Sequence, residues 1–259
     1  GLQRHGFSAF TEMLRANLAH AGGIRIDHVM GLQRLWVVPQ GMPADAGGYL
    51  NYPFTDLLRL LTLEATRARA LVIGEDLGTV PVGLREQLAR RNILGMRVLL
   101  FEQNNGHFIA PQHWPNDALA TTSTHDLATL RGWFNGSDID WQKRCGQRDE
   151  EQHGNDRAAR ASEACALHNA LEHNTQLPAD DVNCDDVIDA CVGYLARTPA
   201  PLVLLPIEDA LGLEEQPNLP GATGDVHPNW RRRLPVAADH LLDQSRVDGR
   251  LRLLDDACR

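Results

Sequence analysis

Three acidic motifs hold the residues best suited to chemistry: Arg25-Ile26-Asp27-His28, Gly74-Glu75-Asp76 and Thr124-His125-Asp126. Each closes a short apolar run that reads as a buried strand, and each precedes a loop and a helix pattern. A parallel α/β barrel gathers its catalytic groups at strand ends. Such a fold can bring together three carboxylates that are distant in sequence. Glycosyl chemistry uses such a set: one carboxylate attacks, one carries a proton, and others hold the sugar.

Each acid also has a plainer reading. Arg25 lies two residues before Asp27, and residues i and i+2 of a strand share a face. A cation beside the carboxylate suits an ionised nucleophile, but equally a structural ion pair. Glu75 follows Leu71-Val72-Ile73-Gly74. An acid/base carboxyl needs an apolar wall and a neighbouring carboxylate to raise its pKa; the alternative is an exposed loop acid. Asp76 points the other way and reads as a cap or partner for the following turn. The His125–Asp126 pair suits hydrogen bonding to sugar hydroxyls. A Ser-His-Asp hydrolase is disfavoured, because the chain has no Gly-x-Ser-x-Gly elbow. No His-x-x-x-His or His/Cys cluster suggests a metal site. Trp36, Tyr49, Trp133 and Trp230 are candidates for stacking on sugars or for filling cores. Residues 228–233 (Pro-Asn-Trp-Arg-Arg-Arg) read as an anion site or as a solvated basic helix start.

These groups must be positioned by alternating elements. Helical periodicity covers 6–21, 54–69 and 82–91, with Pro81 near the start of the third. On the second, Leu57, Leu58, Leu60, Leu61 and Leu63 form an apolar face. Strand-like runs cover 24–29, 70–73, 95–101, 118–123 and 201–206. Residues 138–198 read as several helices, 206–229 as a Pro/Gly-rich loop, and 235–256 as a closing helix. Five strands alternating with helices indicate a parallel sheet, either five units of an eight-fold barrel or an open sheet. The expected parts are 1–137, 138–198 and 199–259.

Bulk composition narrows the function. The chain has 259 residues, 43% hydrophobic and 23% charged, as in ordinary globular proteins. No apolar run approaches the roughly 20 residues of a membrane span, and no secretory signal is visible. The chain opens on Gly1, which reads as a processed, trimmed or fragmentary start. A net charge of −9 without a long basic cluster argues against nucleic acid and fits a neutral substrate. Cys145, Cys165, Cys184, Cys191 and Cys258 are scattered and lack Cys-x-x-Cys spacing. They read as reduced thiols of a cytoplasmic protein.

Taken in order, the motifs resemble the amylomaltase family, the bacterial 4-α-glucanotransferases of the α-amylase clan. The stretches that carry the resemblance are 23–31 (GIRIDHVMG), 72–81 (VIGEDLGTVP) and 124–127 (THDL). Leu35-Trp36 with Val38-Pro39, Gly48-Tyr49 with Tyr52-Pro53, Asn218-Leu219-Pro220-Gly221 and 228–232 (PNWRR) add to it. The resemblance implies a (β/α)8 TIM barrel that is incomplete here, with units four to eight and a helical insertion between strands seven and eight. It implies Asp27 as nucleophile, Glu75 as acid/base and Asp126 as transition-state stabiliser. Arg25, His125, His28, Trp36 and Tyr49 are the implied substrate-binding residues. It implies no metal or other cofactor. Maltooligosaccharides and glucose are the implied substrates, and the missing N-terminal half of the barrel is an implied partner. Two alternatives remain: a truncated, non-catalytic fragment that needs that half, and an α-1,4-glucan hydrolase of the same clan.

Overall fold

A computed structural model describes residues 1–175, 177 and 182–257. It is an α/β fold whose residues fall into two compact units, Gly1–Met96 with Asp117–Leu119, and Arg97–Asn116 with Ala120 onward.

The first unit contains, in chain order, α1 (Ser8–Leu18), β1 (Gly23–Ile26), β2 (Arg34–Val37), β3 (Gly48–Asn51), α2 (Phe54–Ala68), β4 (Leu71–Gly74) and α3 (Leu84–Ala89). β1 and β4 pair in parallel, with Arg25 opposite Ile73 and Ile26 opposite Gly74. Leu94 extends the ladder through a parallel bridge to Ile73. The core under these strands is Leu14, Leu18, Leu58, Leu61, Val72 and Leu88. On α2, Leu57, Leu58, Leu61 and Ala65 fall on one buried stripe, whereas Leu63 is exposed. A helix turns 100° per residue, so Leu63 lies two residues beyond Leu61 and leaves that stripe. β2 and β3 form an antiparallel hairpin, absent from the sequence reading, with Trp36 opposite Tyr49.

Strand β5 (Gly95–Val98) is followed by the small hairpin of β6 (Gln103–Asn104) and β7 (His107–Phe108), and then by β8 (Ala118–Thr121). The helices α4 (Leu130–Asn135), α5 (Ser137–Arg144), α6 (Glu150–Asn174) and α7 (Cys184–Ala196) come next. β9 (Leu202–Leu204), α8 (Ile207–Leu211) and α9 (Ser245–Ala257) end the chain. β5, β8 and β9 form a sheet in that order. Capping boxes start α6 at Asp149 and Gln152, and α7 at Asn183 and Asp186. Leu130, Leu167, Leu171, Ile188 and Leu195 build the second unit's core. Arg250 of α9 is buried there. It donates to Asp189 at 2.6 Å, to Asp185 at 3.0 Å, and to the Asp209 and Ala210 carbonyls. Burial pushes Asp185 up, but the hydrogen bonds from Arg131 and Arg250 outweigh it and hold the carboxyl below its usual range.

The final helix is shorter than its pattern suggests. It starts at Ser245, after a single 3₁₀ turn at Ala238–His240. The expected loop 206–229 contains α8. Among the described residues, no helix is long and apolar enough to cross a membrane. Cys145, Cys165, Cys184 and Cys191 are free thiols, and Cys258 lies outside the described residues.

Candidate active site

The first unit presents Asp27 and Glu75 just past the paired ends of β1 and β4. Register brings them level: the Glu75 N–H donates to the Ile26 carbonyl at 2.9 Å, and the Val29 N–H donates to the Glu75 carbonyl at 2.9 Å. Glu75 is 8% exposed. Its carboxyl oxygens each accept a backbone N–H at 2.7 Å, one from His28 and one from Leu77. His28 adopts a left-handed backbone, φ +46°, which turns its N–H toward Glu75. Gly74 lies close under Val29: a Cβ there would meet Val29 side-chain atoms at 3.0–3.1 Å, a tight contact that Val29 would have to yield to.

Asp27 is open to solvent and paired with Arg25, Nη1 to Oδ1 at 2.7 Å. The Arg25 Nε lies 3.2 Å from the Met96 sulfur. Asp76 is fully buried. It accepts from Arg85 of α3 at 2.6 Å and from the Met96 N–H at 2.7 Å, so it ties the strand end to α3 and to β5. Trp36 and Tyr49 meet edge to face at 5.0 Å on the hairpin, half exposed, with Arg34 over the tyrosine ring at 4.1 Å.

The second unit presents His125 and Asp126 on the loop after β8. Their side chains are 41% and 47% exposed, with Nε2 to Oδ2 at 3.4 Å. The Asn218 amide donates to the other Asp126 oxygen at 2.6 Å. Trp230, exposed and at φ +59°, stands 5.5 Å from the His125 ring. Trp133, by contrast, is buried and fills the core. The loop is held from beneath by Asp209, which accepts from Thr122 Oγ1 and, at 2.7 Å, from the Leu130 N–H. Burial is the main cause that pushes the Asp209 carboxyl up to about 6.

Sequence reasoning overlooked Asn218, Asp209 and Asn229. Asn218 and Asn229 stood inside quoted motifs, but nothing local showed what their amides would reach. Asp209 lies 87 residues from Thr122. Among the described residues, no three His, Cys, Asp or Glu side chains are grouped to hold a metal.

Each unit of this α/β fold thus presents carboxylates just past strand ends, held by hydrogen bonds or a cation. The chain belongs to the 4-alpha-glucanotransferase family, whose model matches residues 1–238. It is 36% identical over 240 residues to the 4-alpha-glucanotransferase of Haemophilus influenzae, covering 90% of this chain and 34% of that protein. The Mycobacterium tuberculosis 4-alpha-glucanotransferase is 33% identical over 265 residues, covering 100% of this chain and 36% of that protein. The crystal structure of amylomaltase from Corynebacterium glutamicum superposes with a TM-score of 0.90 at 28% identity, over 98% of this chain and 38% of that one. The chain thus spans about a third of its relatives' length.

Proposed function

We propose that this chain carries the catalytic carboxylates of a 4-α-glucanotransferase that moves α-1,4-glucan segments between maltooligosaccharides. The carrying observation is the pairing of β1 with β4, which sets an Arg25-paired Asp27 beside a buried Glu75 within a family-matched sequence. Glu75 protonates the leaving glycosidic oxygen while Asp27 attacks the anomeric carbon, giving a covalent glycosyl-enzyme with inversion. Glu75 then takes the proton from an acceptor 4-hydroxyl, glucose included. That oxygen displaces Asp27, and the second inversion restores the α-linkage. Retaining chemistry of this kind uses carboxyl groups about 5–5.5 Å apart. Asp126 and His125 hold sugar hydroxyls as positive charge develops. Arg25 keeps the nucleophile oriented, His28 lines the same strand end, and Trp36 and Tyr49 offer faces for stacking. Transfer prevails over hydrolysis where water is kept from the intermediate.

The proposed architecture is units four to eight of a (β/α)8 barrel: strands four to seven over 1–137, a helical insertion over 138–198, and strand eight onward from 199. A cytoplasmic location agrees with the free thiols. The test is incubation with maltotriose followed by product sizing. Longer glucans together with glucose or maltose are expected; an unchanged donor would overturn activity of the isolated chain. Glucose and maltose without longer products would indicate a hydrolase. A second reading is that residues 1–259 act only together with a partner equivalent to the N-terminal half of the barrel. It predicts an inactive chain that regains transfer when that partner is added.

A further inference from the structure

The loop from Gln216 to Trp230 delivers two side chains to the His125–Asp126 pair, and one side chain holds that loop. Asn229 uses every hydrogen-bonding position of its amide. Its nitrogen donates to the Leu219 carbonyl at 3.2 Å and to the Ala222 carbonyl at 3.1 Å. Two carbonyl partners fix which end of the amide is nitrogen. The oxygen therefore faces the Leu219 N–H at 2.8 Å and His227 Nδ1 at 2.6 Å, so His227 carries its proton on Nδ1. His227 is fully buried, with its ring edge-to-face on Trp141 at 4.8 Å.

One residue further on, the Trp230 N–H donates to the Pro217 carbonyl at 2.9 Å. Residues 229 and 230 thus bind both neighbours of Asn218, and Gln216 binds the Asn218 carbonyl at 2.6 Å. Asn218 is left only its side chain to direct, and that reaches Asp126. The same clamp keeps Trp230 in a left-handed backbone that a bulky residue rarely adopts.

We infer that Asn229 is a positioning residue: it staples the 216–230 loop and so fixes Asn218 against Asp126 and Trp230 beside His125. The inference rests on reading His125 and Asp126 as part of the glucan site. Its test separates the two, because the positioning is read without sugar.

In the full chain, Asn229→Ala is expected to speed exchange of the Leu219 and Trp230 amides by roughly tenfold or more, as a lost hydrogen bond opens the segment. The His125 ring-proton resonances should move toward those of a Trp230→Ala protein, since the ring current of Trp230 is then lost. Asn229→Asp keeps both acceptor contacts but turns an oxygen, in place of the donating nitrogen, toward the Leu219 and Ala222 carbonyls, so it too should open the loop and displace the His125 resonances. Where the alanine variant fails to fold, Asn229→Ser, which removes the amide but keeps a small polar side chain, carries the same test. His125 resonances unchanged in Asn229→Ala would overturn the inference. So would His125 resonances unchanged in Asn229→Asp. If maltotriose moves no His125 resonance of the unmutated chain while the sugar-free results hold, the glucan reading fails and the staple stands.

Discussion

Glu75 and Asp126 both follow strands, yet they are held by opposite means. Glu75 is buried and its two oxygens are gripped by main-chain N–H groups of His28 and Leu77. Asp126 is half exposed and is held by a side-chain amide 92 residues away. The first carboxyl is fixed as soon as β1 pairs with β4 and the turn after Glu75 forms. The second depends on a loop that must itself be built. A carboxyl that handles a proton gains from rigid, desolvated placement. One that meets sugar hydroxyls gains from exposure and an adjustable partner.

The largest expected effect comes from breaking the main-chain grip. Glu75→Gln removes the proton carrier and turns one acceptor into a donor facing an N–H. Transfer from maltotriose should fall about 10²–10⁴-fold, and chemical denaturation should show a loss of about 1–3 kcal/mol. Retained transfer would place the proton elsewhere.

Next is the support beneath the Asp126 loop. Asp209 binds its proton more tightly when folded, with a pKa of about 6 against an ordinary 3.8. Its contribution to stability is therefore fully present below about pH 3.8 and is lost as pH rises through 6. At about 1.4 kcal/mol per pKa unit the difference is roughly 3 kcal/mol. The stability of Asp209→Asn relative to the unmutated chain should therefore be lowest below about pH 3.8 and rise by roughly 3 kcal/mol toward pH 7.5. Parallel melting curves of the two proteins across that range would contradict the assignment.

The smallest effect is expected at the amide that holds Asp126. Asn218→Ala removes one hydrogen bond to a carboxylate that is 47% exposed, so solvent screening limits the folding cost to about 1 kcal/mol or less. Maltotriose affinity measured by calorimetry should weaken by roughly tenfold, with melting nearly unchanged. A large drop in melting temperature with unaltered affinity would make Asn218 structural only.

The same contrast explains what could be read from the sequence. Arg25 and Asp27 were legible because strand alternation alone puts them on one face, and they do pair. Asp76 was legible as pointing away from Glu75, but its partners, Arg85 and the Met96 N–H, lie beyond the turn where one was expected. Gly74 at the strand end lets Val29 pack closely, since a Cβ would crowd it at 3.0–3.1 Å. The β6–β7 hairpin could have been read from Asn105-Gly106, both at positive φ, the favoured two-residue turn. The β2–β3 hairpin was less accessible, because its strands are joined by a long loop without a tight-turn signal. Asn218, Asn229 and Asp209 were not legible as site residues. Their roles arise from contacts with segments far along the chain, which no local periodicity reports.

The central claim is that Asp27 takes the sugar. The direct measurement uses a maltosyl fluoride lacking its non-reducing 4-hydroxyl. The fluoride leaves with little acid assistance, and the missing hydroxyl prevents the donor from serving as acceptor. The intermediate should therefore accumulate. After an acid quench, digestion and peptide mass mapping should find the glycosyl group on the peptide bearing Asp27, and on none in the Asp27→Asn variant. A glycosyl group on another carboxylate, or none on any peptide, would contradict the account.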